Sequence, residues 1–329
     1  MKPISLQSVS NVRWLRILAF ILGVALIGIL PWVINSYYTS LIIFIGIYTI
    51  IVVGLCLLMG YAGQISLGQA AFYGMGAYIS GILSHNYGVN PWIAMIIAAA
   101  FSGVFAYLIG IPVLRLKGNY LAMATLGLGI IMYLVFREAD FITGGPTGIP
   151  AIPYLSIGDF KFDTNSKYYY LVWVFALAVL FFSQNIVNSR VGRALRAIRN
   201  NEKASESLGV NVPELKIKVF ALSAVFASIA GSLYVHYLTY VNPQPFDYLF
   251  SIRLLLMAVV GGLASIWGAI FGVASVTILG DILHQFGDWE TIVFGLVLMA
   301  VVIFMPKGIW FYIFGWFESL RQKFGKVRS

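Results

Sequence analysis

The sequence predicts an all-α fold: a polytopic transmembrane helical bundle of about ten spans, with both termini on the cytoplasmic side. Three observations carry this expectation. Of the 329 residues, 60% are hydrophobic and only 10% charged, with a mean hydropathy of +0.90. A soluble domain carries about 25% charged residues, so a chain this apolar needs lipid as its solvent. The apolar runs also recur at about 20 residues, the length that crosses a hydrocarbon core. Finally, the basic residues are distributed asymmetrically between the connecting segments.

The expected spans are 15–34, 39–59, 64–84, 91–114, 119–136, 168–187, 217–239, 248–262, 264–285 and 290–305. Arg13 and Arg16 precede an apolar run from Ile17 to Ile34. That run is too long for a signal-peptide core, and no small-residue cleavage site follows it. It reads as a retained first span and signal anchor. His284, Gly287, Asp288 and Glu290 separate the last two spans, whereas the split at Gly261 and Gly262 rests on two glycines. Segments 1–16, 114–118, 188–218 and 306–329 hold 17 of the 21 Lys and Arg residues, leaving Arg137, Lys161, Lys167 and Arg253. Cytoplasmic loops carry such an excess, so the net charge of +9 needs no nucleic-acid partner. Cys56 is the only cysteine and excludes an intrachain disulfide. The three histidines are scattered, with no metal cluster visible.

The whole of 1–329 reads as a single membrane domain with two long loops. The outer loop, 137–167, contains Thr143-Gly-Gly-Pro-Thr-Gly-Ile-Pro150, whose glycines and prolines favour compact turns. The inner loop, 188–218, is strongly basic. Segment 309–328 alternates aromatic and basic blocks, as expected of chain lying along the inner headgroups. A five-plus-five division would make the two halves inverted repeats, as in many transporters. Similarity between the halves does not by itself reveal one.

Two segments carry chemical information. In Gly60–Tyr78, Ser66, Ala70 and Gly74 recur every four residues, a small-residue stripe that lets helix backbones approach in lipid. Gln64 and Gln69 add amides where solvation is poor. The stripe is either a translocation-path helix or a packing seam with internally bonded glutamines. In Ser189–Val210, Val191, Ala194, Leu195 and Ile198 follow a helical apolar period decorated by Arg190, Arg193, Arg196 and Arg199. Asn201 is placed to cap a second short helix that Gly209 ends. This basic helix-turn-helix serves either as a lipid anchor or as a docking surface for a cytoplasmic partner.

The second segment resembles the coupling loop of bacterial ATP-driven importer permeases, a Glu-Ala-Ala followed by a downstream Gly. Glu202, Ala204 and Gly209 match, and Lys203 and Ser205 depart from the pattern. The flanking Gly192-Arg-Ala-Leu-Arg-Ala-Ile-Arg199 resembles the branched-chain amino acid permease family, with Arg193 and Arg196 in its basic positions. Gly60–Tyr78, Thr143–Pro153, Met257–Gly272 and Phe304–Trp310 are similar to the same family, so the resemblance runs from about 40 to 310. The Thr-Gly-Gly-Pro-Thr-Gly-Ile-Pro loop looks closer to the LivM-type subunit than to the LivH type. Arg253 departs from the family, which often has an acidic or apolar residue there.

The resemblance implies a permease that imports leucine, isoleucine or valine through the inner membrane. Its implied partners are a LivH-type permease, two ATP-binding subunits of LivG and LivF type, and an extracytoplasmic amino-acid-binding protein. ATP and Mg would be held by the partner subunits and no cofactor by this chain, which has no G-x-x-x-x-G-K-[ST] phosphate loop. A urea or short-chain amide permease shares the architecture. An ion-coupled secondary transporter expects ionisable residues deep in the bundle. Here, with Arg16, Lys218 and Glu290 at span edges, Arg253 and Asp281 are the only charges clearly inside spans. Both are expected near outer ends, where they could pair beside the outer mouth. An intramembrane enzyme would need a clustered nucleophile and base, and none is visible.

Overall fold

The computed structural model describes residues 34–283, together with Pro31, Val293, Gly295, Leu296 and Met299. The expected spans 15–34 and 290–305 and the segment 309–328 lie outside the described residues, apart from those isolated positions. The described chain is almost wholly helical, as an apolar solvent demands: inside lipid each backbone N–H and C=O must be satisfied within its own segment.

Helix α1 (Ser36–Leu55) runs without a break into a π-helical turn at Cys56–Tyr61. Five more membrane-scale helices follow: α2 (Gln69–Asn86), α3 (Pro91–Val113), α4 (Asn119–Glu138), α5 (Asn165–Asn188) and, after two short helices, α8 (Val212–Leu238). The short pair is α6 (Arg190–Asn200) and α7 (Glu202–Ser207). The described chain closes with α9 (Tyr248–Gly261) and α10 (Gly268–Leu283). Among the described residues, α1 with its π turn, α3, α4, α5 and α8 are long and apolar enough to cross a membrane. The α9 and α10 helices are apolar but shorter.

Burial sorts these helices into a centre and a rim. Most of α1 and α8 is buried, while only a minority of the residues of α3 and α4 are buried. Both central helices are rich in residues that let neighbours approach. Gly46 takes Val172 of α5 against its backbone, and α8 contributes Ser223, Ala224, Ala227, Ser228, Ala230, Gly231 and Ser232, all buried. Peripheral α5 is tied to the centre by the Tyr168 hydroxyl, which donates to Leu233 O at 2.6 Å.

The contacts define two ends. At one, Asn165 donates to Ser36 Oγ at 2.7 Å and to Ser40 Oγ at 3.0 Å, so α1 and α5 begin together beside segment 137–167. That segment is pinned to the end of α8: Ile149 bridges to Val241, and Ile152 N donates to Thr239 O at 3.0 Å. His236 fixes it further. Its Nδ1 lies 2.7 Å from Pro153 O and its Nε2 2.8 Å from Ser80 Oγ. A carbonyl only accepts, so Nδ1 carries the proton and Nε2 accepts from the serine. The opposite end carries α6 and α7.

Two expected spans take a different form. The expected helix 64–84 starts late: residues 63–68 are non-helical and α2 begins only at Gln69. Gly63 adopts φ +69°, a left-handed turn that stops the preceding helix. The second case follows α8, where residues 239–247 re-enter the bundle before α9 begins. The weakest expected division, at Gly261–Gly262, is a genuine turn with Gly262 at φ +102°. Ala70 N, on the first turn of α2, donates to Ser251 Oγ on the first turn of α9 at 3.0 Å. The two helices therefore start inside the bundle, side by side. From there α2 runs to the loop end, where His85 meets Ala151 O. The α9 helix runs to the opposite end, where Tyr61 donates to Ala264 O at 2.7 Å. The elements that follow α1 and α8 therefore run in opposite senses.

Candidate functional site

The basic hairpin is built from local rules. Ser189 caps α6 by accepting from Val191 N at 3.1 Å, and Asn201 caps α7 by accepting from Ala204 N at 3.1 Å. The α7 helix ends at Gly209, whose φ of +82° is the left-handed geometry a helix C-terminus requires. Gly209 N donates to Glu206 O and Val210 N to Ser205 O, satisfying carbonyls of the last turn. The apolar face of α6 is rotated from the expected one. Leu195 and Ile198 are buried, but Gly192 joins them instead of Val191, which is exposed. The reason is contact with the end of α5: a Cβ at Gly192 would lie 2.1 Å from Val187 O. Arg190, Arg193, Arg196, Arg199 and Ala204 are exposed, as is Leu208 at 82%.

The hairpin is connected to two membrane helices and to the α3–α4 turn. Glu202, the first residue of α7, forms an ion pair with Lys216 near the start of α8 and another at 3.4 Å with Lys117 between α3 and α4. Lys216 is almost completely buried, its side chain 8% exposed. The Arg199 guanidinium donates to Gly60 O in the π turn of α1. Burial alone would raise the Glu202 pKa, but the Lys216 hydrogen bond and charge, aided by Lys117, outweigh it and hold the carboxyl below its usual range. Sequence reading found Glu202 and Arg199 but not Lys117 or Lys216. Each is an unremarkable loop or helix lysine until the fold brings it to the carboxylate.

The second constellation surrounds the interior helix starts. Ser66 is buried but precedes α2, so the expected stripe is not a continuous helical face. Ala70 faces α9 through Ser251. Gly74 faces aromatic rings, since a Cβ there would lie 2.4 Å from Phe136 Cε2 and 3.1 Å from Phe246 Cβ. The tight helix crossing lies one step round. A Cβ at Gly76 would meet Ser228 O at 2.1 Å, and one at Gly231 would meet Tyr73 O at 1.9 Å. The small-residue run in α8 was the sequence signal for this contact.

Gln69 Nε2 donates to Ser223 Oγ at 3.0 Å. Gln64 is 3% exposed, and neither of its amide atoms has a hydrogen-bond partner among the described residues. Leaving a buried polar group unpaired costs about 1–3 kcal/mol, so packing gives no reason for an amide here. Gln64→Leu is therefore expected to keep or gain thermal stability in the purified transporter while reducing solute uptake. Loss of stability would instead identify Gln64 as part of the packing seam.

The expected Arg253–Asp281 pair is absent from the ion pairs among the described residues. Asp281 instead accepts from the Tyr37 hydroxyl at the start of α1. The depths explain the difference. Asp281 sits at the loop end, whereas α9 begins deep in the bundle and carries Arg253 with it. Phe250, one turn before Arg253, packs on Tyr48 at 5.2 Å between ring centroids. Tyr48 is midway along the 26-residue span from Ser36 to Tyr61. Counting inward from an outer end placed Arg253 too shallow because residues 239–247 descend before the helix starts.

Comparison with known proteins bears on both constellations. Residues 36–305 match a family described as branched-chain amino acid transport system / permease component. The chain is 31% identical over 286 residues to the high-affinity branched-chain amino acid transport system permease protein LivM of Escherichia coli, covering 80% of this chain and 67% of that one. The LivM protein of Salmonella typhimurium gives the same figures. Similarity to the LivH permease of Escherichia coli is 24% over 284 residues, covering 80% and 90% of the two chains. No solved structure matches.

Proposed function

This chain belongs to the branched-chain amino acid transport permease family, and from that premise we propose how it works. It is a membrane-spanning permease subunit of an ATP-driven importer, and leucine, isoleucine and valine are its solutes. In the proposed arrangement it crosses the cytoplasmic membrane about ten times, with both termini and the α6–α7 hairpin inside. The basic residues support that orientation: Arg115, Lys117, the four arginines of α6, Lys203, Lys216 and Lys218 gather at the hairpin end. A LivH-type permease completes the pathway, and two ATP-binding subunits hold ATP and Mg. An extracytoplasmic binding protein delivers solute at the end carrying 137–167. This chain carries out no ATP chemistry of its own.

One observation carries the reading. The α6–α7 hairpin presents an arginine face and an exposed Leu208, yet is tied to α1, to α8 and to the α3–α4 turn. A lipid anchor needs the charge but not three bonds into the bundle. A surface that a partner pushes needs both, because motion of the hairpin then reaches the helices that frame the interior starts of α2 and α9. The test is to co-express the chain with its genomic neighbours, purify the complex and reconstitute it in vesicles. Co-purifying ATPases and ATP-dependent leucine uptake are expected. Uptake of urea but not of leucine would move the chain to the amide permeases, and no ATP dependence would overturn the reading.

A further inference from the structure

Helix α3 shows which of its sides meets lipid. Its small residues Ala94, Ala98, Ser102, Ala106 and Gly110 recur every four positions and are all buried. A Cβ at Gly110 would lie 3.4 Å from Phe220 Cδ1 of α8. In a membrane, small residues mark the side on which helices pack together. The opposite side exposes Ile93, Ile96, Val104, Leu108 and Ile111 along the length of the helix, bulky apolar side chains suited to contact with acyl chains. At the loop end of this helix Asn90 accepts from Trp92 N at 3.0 Å, and the Trp92 indole N–H donates to Ser156 O at 2.8 Å. That bond fixes a small β-hairpin at the membrane boundary. Its strands β1 (Ser156–Ile157) and β2 (Phe160–Lys161) are antiparallel. Phe162 stands edge-on to both Trp92 and Phe160, with ring centroids 6.5 and 5.2 Å apart.

Ile157 is the direct cross-strand partner of Phe160, so the two side chains share one face. The described residues leave that face largely uncovered, with Ile157 62% and Phe160 52% exposed. A two-stranded hairpin is marginal by itself, and an apolar pair facing water adds nothing to its stability. We propose that the β-hairpin is a lipid anchor, with Ile157 and Phe160 entering the outer leaflet where headgroups meet acyl chains. Three observations select a bilayer as the occupant. The uncovered pair continues the lipid-facing side of α3, which begins at Ile93 beside Trp92. Trp92 supplies the indole that membrane–water boundaries favour. The charges around the pair also cancel: Asp159 and Lys161 are both exposed, and Lys167 is paired with Asp163 at 2.8 Å. The contact therefore draws on apolar area rather than on anionic lipid. Segment 137–167 is then held from two sides, by α8 through His236 and by the leaflet through the β-hairpin. Only the choice of leaflet rests on the proposed topology.

The test uses the assembled transporter in phosphatidylcholine vesicles, where the single native cysteine, Cys56, is buried. Ile157→Cys, Phe160→Cys, Asp159→Cys and Val104→Cys each carry an environment-sensitive NBD label. An interfacial element enters only about 5–10 Å, so the labels at 157 and 160 should be quenched about twofold or more better by a lipid nitroxide near the headgroup than by one near the chain end. The Val104 label, near the middle of α3, should show the reverse order. The Asp159 label should respond to aqueous iodide. Labels at 157 and 160 that iodide reaches and neither nitroxide quenches would overturn the proposal in favour of water. Labels shielded from iodide and from both nitroxides would overturn it in favour of cover by protein, whether the first span, the second permease or the binding protein. Quenching that appears only with anionic lipid would overturn the apolar contact. Nitroxide depth reads the same from either leaflet, so a reversed topology, or a complex that carries no leucine, overturns the function reading and leaves the lipid contact standing.

Discussion

Gly231→Ala is expected to prevent the bundle from forming, although it adds a single methyl group. The new carbon would sit 1.9 Å from Tyr73 O and 2.9 Å from Ala77 N, both backbone atoms of α2. No rotamer change relieves such a contact, so α2 and α8 would have to separate. Ordinary overpacking costs about 1–3 kcal/mol because side chains give way, and here the cost should exceed that range. The loss would be compounded at Gly76, whose carbonyl accepts from Ser232 Oγ at 3.1 Å across the same crossing. Size-exclusion profiles and thermal unfolding of the detergent-purified protein provide the measurement. Gly127→Ala on α4 is the control, since a Cβ there meets nothing within 4 Å. It should change stability by no more than about 0.5 kcal/mol. A folded Gly231→Ala protein with wild-type melting would mean that α2 and α8 do not cross as closely as described.

Glu202→Lys is expected to abolish ATP-driven uptake in a chain that still inserts and is expressed. Substitution replaces the one carboxylate between Lys216 and Lys117 with a third ammonium, next to a lysine that is nearly buried. It also places positive charge in the first turn of α7, where the helix dipole is least favourable to it. Leaving Lys216 without its partner costs about 1–3 kcal/mol, and solvent at Glu202 keeps the figure below that of a fully buried pair. The effect on coupling should be larger than the effect on melting, because the pair connects α7 to α8 and to the α3–α4 turn. Recovery of ATP-binding subunits with the purified complex, uptake and melting temperature separate the two. Normal uptake by Glu202→Lys would remove the hairpin from the coupling path.

The same carboxylate sets a pH dependence. Its folded pKa is held below the unfolded value, so its stabilisation is fully present above about 4.3, the ordinary glutamate value. It is lost as pH falls through the folded value. The melting difference between the wild type and Glu202→Gln should therefore be largest near neutral pH and close in acid.

Much of this protein is readable without coordinates, and the parts that are not share a cause. Composition and run length alone determine a helical membrane bundle, because a chain with so little charge has no other solvent. Helix limits such as Pro91–Val113 and Asn119–Glu138 follow from apolar run length, turn residues and caps. The α6–α7 hairpin follows from Asn201 and Gly209, whose roles are local. What the sequence left open depends on residues far apart in the chain. Only the fold brings Lys117 and Lys216 to Glu202, or sets Gly76 against Ser228. Only the fold shows that segments 63–68 and 239–247 enter the bundle without α-helix, so that Ser66 leaves the stripe and Arg253 moves from the rim to mid-depth. A hydrophobic period records which solvent a residue meets. It does not record how deep a helix begins, and in a membrane depth decides whether an arginine can snorkel to a headgroup or must be accommodated within the bundle.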